Sequence, residues 1–439
     1  MAGPSPGLII AAPASGQGKT VVTLAIIRAL TNYGLRVAAA KAGPDYIDPA
    51  FHAAAGGDPC FNLDPWAMQL DTFAGAAGRL GAESSLIVCE GAMGLFDGAA
   101  DGRGSTADIA AITGWPVVLV VDVRGQGASA AALLRGFVSH RADVPLAGTI
   151  LNRVGSDRHA RILADAIRES GLELPVLGCL PRDRALELPE RHLGLVQASE
   201  HPALDEFLED AAEIVRKSID LKALRRLARR APAGQGELAP LPPLGQRIAI
   251  ARDEAFAFSY AAVHEGWRAA GAEVFPFSPL ADEPPAADAD AVYLPGGYPE
   301  LHAGRIAGNR RFLDGLRGAV NRGSTVYGEC GGYMVLGDSL TDVDGVRHAM
   351  AGLLPLETSF AERRLHLGYR RVTVATDSPL GARGLNYTGH EFHYATVVKE
   401  GTGNPLFQVA DAMGDDLGAA GQTRGRVAGS FIHLIDRAP

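Results

Sequence analysis

In "APASGQGKT", residues 12–20, a glycine-rich turn ends in Gly18-Lys19-Thr20. This is the composition of a phosphate cradle. Glycines such as Gly16 and Gly18 let backbone N–H groups turn toward phosphate oxygens, Lys19 reaches the outer phosphates, and Thr20 touches a bound Mg²⁺. The strict G-x-x-x-x-G-K-[ST] spacing asks for glycine at position 13, where this chain has Pro13. Mg²⁺ takes oxygen ligands and bridges phosphate groups, so carboxylates must accompany the loop. "KAGPDYIDP" supplies Asp45 and Asp48, and "VCEGAMGLFDG" supplies Glu90 with Asp97 shortly after. Acids at the carboxyl ends of parallel strands face the crevice where ligands bind. The chemistry would be phosphoryl transfer from a nucleotide such as ATP.

The second reactive stretch is "TVYGECGGYM", residues 325–334. It reads as a strand, a tight turn bearing Cys330, and a helix start, which is nucleophile-elbow geometry. The glycines permit the strained turn and the helix N-terminus favours thiolate, so Cys330 is expected to be presented rather than packed. A nucleophile needs an oxyanion hole and a base. "YLPGGYPE" offers the backbone N–H groups of Gly296 and Gly297, joined by that of Gly331. "AGSFIHLI" offers His433 at the end of an apolar strand, with His390 and His393 in "GHEFHYA" as competitors. A metal on His390, Glu391 and His393 is disfavoured because the sequence shows no third ligand at a suitable spacing.

Elements must bring these residues together. "GLIIAAP", "RVAAAKAGP", "SLIVCE", "PVVLVVDV" and "LAGTILNRV" alternate with helical patterns, which predicts parallel strands with crossover helices, an α/β fold covered on both faces. Residues 203–230 are expected to be helical to the end of the basic run "KALRRLARR". The Pro- and Gly-rich stretch 231–245 reads as a linker. Beyond it "QRIAIARD", "EVFPFSP", "DAVYLPGG" and "STVYGEC" start a second α/β domain. The expected domains are therefore 1–230 and 246–439.

The whole chain sets limits on function. It has 439 residues, 47% hydrophobic and 21% charged, so each half can hold a core. A net charge of -9 argues against a nucleic-acid backbone as partner. Cys60, Cys89, Cys179 and Cys330 are widely separated, with no C-x-x-C pair, as expected in a reducing cytoplasm. No stretch approaches the roughly 20 apolar residues of a membrane span, and the N-terminus lacks the basic region of a secretion signal.

Together with "EGAMGLFDGAADG", "LPERHLGLVQ", "SFAERRLHLGYRR" and "VAGSFIHLID", these motifs span both halves in order. The chain resembles the cobyrinic acid a,c-diamide synthases, and most of all the aerobic-pathway members that act on hydrogenobyrinic acid. The resemblance implies a dethiobiotin synthetase-like P-loop domain followed by a class I glutamine amidotransferase domain. Cys330 would attack glutamine and release ammonia, with His433 moving the proton. The first domain would transfer the γ-phosphate of ATP to corrinoid carboxylates a and c, and ammonia would displace phosphate. By the same resemblance, Lys19, Thr20 and Asn152 contact nucleotide, and Asp45, Asp48 and Glu90 serve metal and phosphate transfer. Tyr46, Ile47 and Asp97 lie near the substrate carboxylate. Arg191 and His192 either pair with substrate carboxylates or form a structural ion pair.

Class I amidotransferases usually carry His-x-Glu, but Leu434 and Ile435 follow His433. Glu329 adjoins Cys330, and strand alternation is expected to point it away. Related readings are the same reaction on cobyrinic acid or a nickel tetrapyrrole, or a P-loop partner-binding protein. The oligomeric state is left open, a homodimer included.

Overall fold

The computed structural model describes residues 5–188, 197–232 and 236–438, so Arg191 and His192 lie outside the described residues. Two compact units divide the chain: Met1–Trp66 with Phe73–Glu237, and Ala67–Thr72 with Leu238–Pro439. The segment 67–72 joins the second unit through hydrogen bonds. Gln69 N donates to Asp436 Oδ2 at 2.8 Å and Thr388 Oγ1 donates to the Ala67 carbonyl at 2.5 Å.

In the first unit the strands are β1 (Pro6–Ala11), β2 (Val37–Ala42), β3 (Phe61–Leu63), β4 (Leu86–Glu90), β5 (Val117–Asp122), β6 (Leu146–Val154) and β7 (Val176–Pro181). They lie in the order β3-β2-β4-β1-β5-β6-β7 and pair in parallel. Continuous apolar runs such as "VVLVVD" in β5 are buried along their whole length, as a sheet covered on both faces requires. Strand order reverses at β1, between β4 and β5, which opens a crevice at the carboxyl ends. The loops after β1, β2 and β4 meet there. The expected helix over 203–230 is two helices, Leu204–Ser218 and Leu221–Leu227. The last two arginines of the basic run form β8 (Arg229–Arg230), antiparallel to the start of β1.

The second unit opens with β9 (Arg247–Ala251), β10 (Glu273–Phe277), β11 (Ala291–Leu294) and β12 (Thr325–Glu329), parallel in the order β10-β9-β11-β12. Pro276 is accommodated because β10 is an edge strand. A four-stranded sheet follows from β13 (Ser339–Thr341), β14 (Arg347–Ala349) and β15 (Leu356–Ser359). Next come β16 (His366–Val374) and β17 (Asn386–His393), and then β18 (Thr396–Glu400), which completes that small sheet. Then β19 (Asn404–Ala410), β20 (Asp416–Arg424), β21 (Val427–Ser430) and β22 (Ile432–Ala438) run in order. The larger sheet extends from β12 through β21, β20, β19, β16 and β17 to β22. Only β21 continues the parallel pairing; the others are antiparallel.

Candidate active site

Gly18, at φ 81°, hands the chain into helix α1 (Lys19–Asn32). A Cβ there would lie 2.5 Å from Asn152 Nδ2, so only glycine leaves room for that amide. Asn152 donates to the Gln17 carbonyl at 2.8 Å, tying the end of β6 to the phosphate loop. Asp45 caps the next helix, α2 (Asp48–Gly56), accepting from Ile47 N at 2.8 Å and Asp48 N at 3.0 Å.

Charges converge on Glu90. Its Oε1 accepts from Thr20 Oγ1 at 2.7 Å, Lys41 Nζ at 2.9 Å and Lys19 Nζ at 3.2 Å, and His52 Nε2 lies 2.7 Å from Oε2. Lys41 also pairs with Asp48, and lies 3.7 Å from Asp45. Thr20 Oγ1 is 3.5 Å from Asp48 Oδ2. Burial alone would raise the Glu90 carboxyl, but Lys41, Lys19 and His52 hold it well below the usual range. Burial and the charge of Asp45 lift Asp48 to about 6 against the pull of Lys41. Burial lowers Lys19, whereas Lys41 stays protonated despite burial because Asp48, Glu90 and Asp45 surround it. His52 Nδ1 is 2.6 Å from the Asp48 carbonyl oxygen, so both ring nitrogens face acceptors, and its pKa is raised despite burial.

This cluster floors a cleft of about 800 Å³ whose lining includes Gly16, Gly18, Lys19, Thr20, Lys41, Asp45, Asp48 and Asn152. Its size is at the upper end of the usual range for small-molecule sites. Tyr46, Ile47 and Asp97 are outside that lining. Tyr46 is buried, Ile47 packs against the core, and Asp97 Oδ2 accepts from Gly94 N at 2.8 Å to close a turn. Sequence reasoning passed over Lys41 and His52. A lone lysine in the otherwise apolar "VAAAKA" strand and a histidine one helical turn after Asp48 were the available signals.

The elbow forms as expected: Cys330 sits at φ 48°, ψ -104° between β12 and the helix Gly331–Leu336. A Cβ at Gly332 would lie 2.0 Å from the Leu294 carbonyl, and one at Gly328 would lie 2.7 Å from the Gly332 carbonyl carbon, so glycine lets helix and strands close up. The expected exposed, thiolate-leaning cysteine is corrected. Cys330 is 3% exposed, donates weakly to the Phe392 carbonyl at 3.7 Å, and has its thiol pushed well up, chiefly by burial. Six residues of helix do not outweigh that desolvation.

His433 is buried on β22 beside it. A Cβ at Gly296 would lie 2.3 Å from His433 Cε1, 3.1 Å from Nε2 and 3.2 Å from Cys330 Cβ, so all three residues enclose one point. A Cβ at Gly331 would lie 3.0 Å from Gly297 N, which puts the two glycine backbones side by side. Burial, and then the neighbouring His390 and His393, lower His433 to about 3, so its imidazole is neutral near pH 7.

Glu329 does not point away from the histidine. Its Oε2 is 3.8 Å from His433 Nδ1, and its Oε1 accepts from Leu434 N at 3.1 Å. Leu434 N and His433 of β22 reach its carboxylate there.

Among the described residues, His366, Glu391 and His393 form a group whose ligand atoms lie within 4.8 Å. The antiparallel register that sets His366 opposite His393 supplies the third ligand the sequence did not show. Glu391 is already paired with Arg370 Nε at 2.7 Å and His393 Nε2 at 3.0 Å, and despite burial these partners hold it near 2. The group reads as an ion-pair network beside the elbow.

A phosphate-loop α/β unit and a cysteine-elbow α/β unit in one chain define the class: a P-loop nucleotide-binding domain joined to a glutamine amidotransferase-type domain. Residues 8–196 match the family described as the CobQ/CobB/MinD/ParA nucleotide binding domain, and residues 247–438 match the CobB/CobQ-like glutamine amidotransferase domain. The chain belongs to the hydrogenobyrinate a,c-diamide synthase family. It is 57% identical over 434 residues to the protein of that name from Brucella anthropi, covering 98% of each chain. The Sinorhizobium sp. protein is 56% identical over 438 residues, covering 98% of this chain and 99% of the relative. The Rhodobacter capsulatus protein is 54% identical over 436 residues, covering 98% of each.

Proposed function

We propose that this chain is a ligase that amidates the a and c carboxylates of hydrogenobyrinic acid, using glutamine and ATP, in cobalamin biosynthesis. Similarity of 54–57% along 98% of the chain to proteins named for that reaction carries the reading. Residues 1–230 supply a dethiobiotin synthetase-like phosphoryl-transfer domain and residues 246–439 the amidotransferase domain.

At the elbow, Cys330 Sγ attacks the glutamine carboxamide carbon while its proton passes to His433 Nε2. Backbone N–H groups of Gly297 and Gly331, with Gly296, face the oxyanion. The proton returns to the leaving nitrogen as ammonia departs, and water then cleaves the thioester to glutamate. At the other site the loop amides and Lys19 hold the ATP phosphates, and a substrate carboxylate takes the γ-phosphate to become an acyl phosphate. Ammonia displaces phosphate, and the cycle runs once per side chain. Thr20, Asp48, Glu90 and Asp45 fit Mg²⁺: they are oxygen donors clustered at the foot of the phosphate loop, three of them carboxylates. When bound, the ion neutralises phosphate charge. Arg191 and His192 are assigned to the peripheral carboxylates, and Asn152 to the nucleotide side of the cleft.

Incubation with hydrogenobyrinic acid, ATP, Mg²⁺ and glutamine tests the reading by product mass. Two replacements of hydroxyl by amino, absent without ATP or Mg²⁺, are expected. No product from hydrogenobyrinic acid, with conversion of cobyrinic acid or a nickel tetrapyrrole instead, would overturn the substrate assignment.

A further inference from the structure

The usual carboxylate two residues after the histidine is replaced by Ile435, yet a buried carboxyl approaches the imidazole from another strand. Glu329 ends β12, immediately before the nucleophile, and is 2% exposed. Three hydrogen bonds fix it. Tyr293 on β11 donates to Oε2 at 2.7 Å, Tyr327 on β12 donates to Oε1 at 3.1 Å, and Leu434 N on β22 donates to Oε1 at 3.1 Å. His433 stands beyond these bonds, with Nδ1 3.8 Å from Oε2. The Leu434 bond ties the histidine's own strand to the strand that carries the cysteine. For His433 Nε2 to accept the thiol proton, Nδ1 must carry the ring hydrogen, and an acceptor beside Nδ1 favours that tautomer.

Resting on the amidotransferase reading above, we infer that Glu329 is the positioning carboxylate of the glutaminase centre, the third member beside Cys330 and His433. As the Sγ–H bond breaks, its proton passes to Nε2 and the sulfur electron pair forms the bond to the glutamine carbon. The imidazolium then gives Nδ1–H to Glu329, and the 3.8 Å separation closes to a charge-assisted hydrogen bond. Ammonia departs with the Nε2 proton and the pair relaxes.

Titratable groups around Glu329 are Cys330, Tyr293, Tyr327 and His433, with Tyr260 and Tyr387 lining the small cavity beside it, and Glu300, itself lifted by burial to about 7, acts on Cys330. His390, His393 and Glu391 on β17 face His433 from the other side. Burial lifts the Glu329 carboxyl to about 7 against the hydrogen bonds from Tyr293, Leu434 and Tyr327. Carboxylate form, and with it glutaminase rate, therefore rises with pH through the neutral range.

The test follows glutamate release from glutamine, and ammonia-supported amidation in the same preparation, for the full chain, Glu329→Gln and Glu329→Asp. Glu329→Gln keeps an acceptor for Leu434 N. It is expected to lower glutamine-dependent kcat at least about 100-fold, with KM for glutamine little changed. It should also abolish the neutral-range limb of the pH profile and leave ammonia-supported amidation intact. Glu329→Asp is expected to restore part of the rate and that limb. Equal loss of both activities in Glu329→Gln, or an unchanged glutamine rate and pH profile, overturns the assignment. Glutamate release from glutamine alone is measured without any corrinoid, so failure of wild-type amidation would defeat the substrate reading and leave the glutamate-release and pH-profile arms of this test standing.

Discussion

At the residue scale, both sites turn on buried ionisable groups, whose charge is set by neighbouring cations around Glu90 and chiefly by burial at the elbow. Lys41 neutralises Asp48 and Glu90 inside the first unit. Lys41→Met removes the ion-pair partner of Asp48 and one of the cations around Glu90. Its expected cost is about 3–5 kcal/mol in denaturant unfolding, together with loss of ATP-dependent amidation. His433 gives a pH prediction. Folded, it stays neutral down to about 3, whereas the unfolded imidazole gains its proton from about 6.5. The unfolded chain thus binds more protons between those values, and stability falls as pH falls through that window. Glu329 acts oppositely. Its carboxyl, about 7 folded against 4.5 unfolded, contributes stability that is lost as pH rises from 4.5 to 7. His433→Gln should therefore lose less stability than wild type between pH 6.5 and pH 5, read as unfolding midpoints; equal losses would show that His433 is not held neutral.

At the element scale, the elbow depends on how closely a short helix packs on two strands. Gly332→Ala puts a methyl 2.0 Å from the Leu294 carbonyl, where backbone faces backbone. Overpacking of this kind is expected to cost about 1–3 kcal/mol and to lower glutaminase activity, measured as melting temperature and glutamate release. Gly308→Ala, where nothing lies within 4 Å of the added carbon, is the control and should change neither. Burial keeps both the Cys330 thiol and the His433 imidazole neutral, so proton transfer must accompany the attack on glutamine. Glutamate release is accordingly expected to be weak alone and to rise at least severalfold with corrinoid and ATP. Equal rates with and without them would rule out such coupling.

At the scale of the whole molecule, two units carry two chemistries. Cys330→Ala is expected to abolish glutamine-dependent amidation and to retain amidation supported by added ammonia, because the phosphoryl-transfer residues all lie in the first unit. Loss of both would show that the sites are not independent. No helix among the described residues is long and apolar enough to cross a membrane.

The sequence by itself determined the local features. Glycines mark the phosphate loop and the elbow, β-branched runs mark the parallel strands, and Lys19, Thr20, Glu90, Cys330 and His433 are named by their neighbours along the chain. These are legible because strand, turn and helix start follow one another within a few residues. Tertiary structure decided what depends on distant strands. Lys41 and His52 reach Glu90 only because β2 lies beside β4 and α2 folds over their ends. His366 meets His393 only through the register of β16 on β17. Alternation along β12 could not show that Leu434 N and His433 of β22 lie beside the Glu329 carboxylate. A strand's own periodicity says which face a side chain takes, and only the packing of the other strands says what waits on that face.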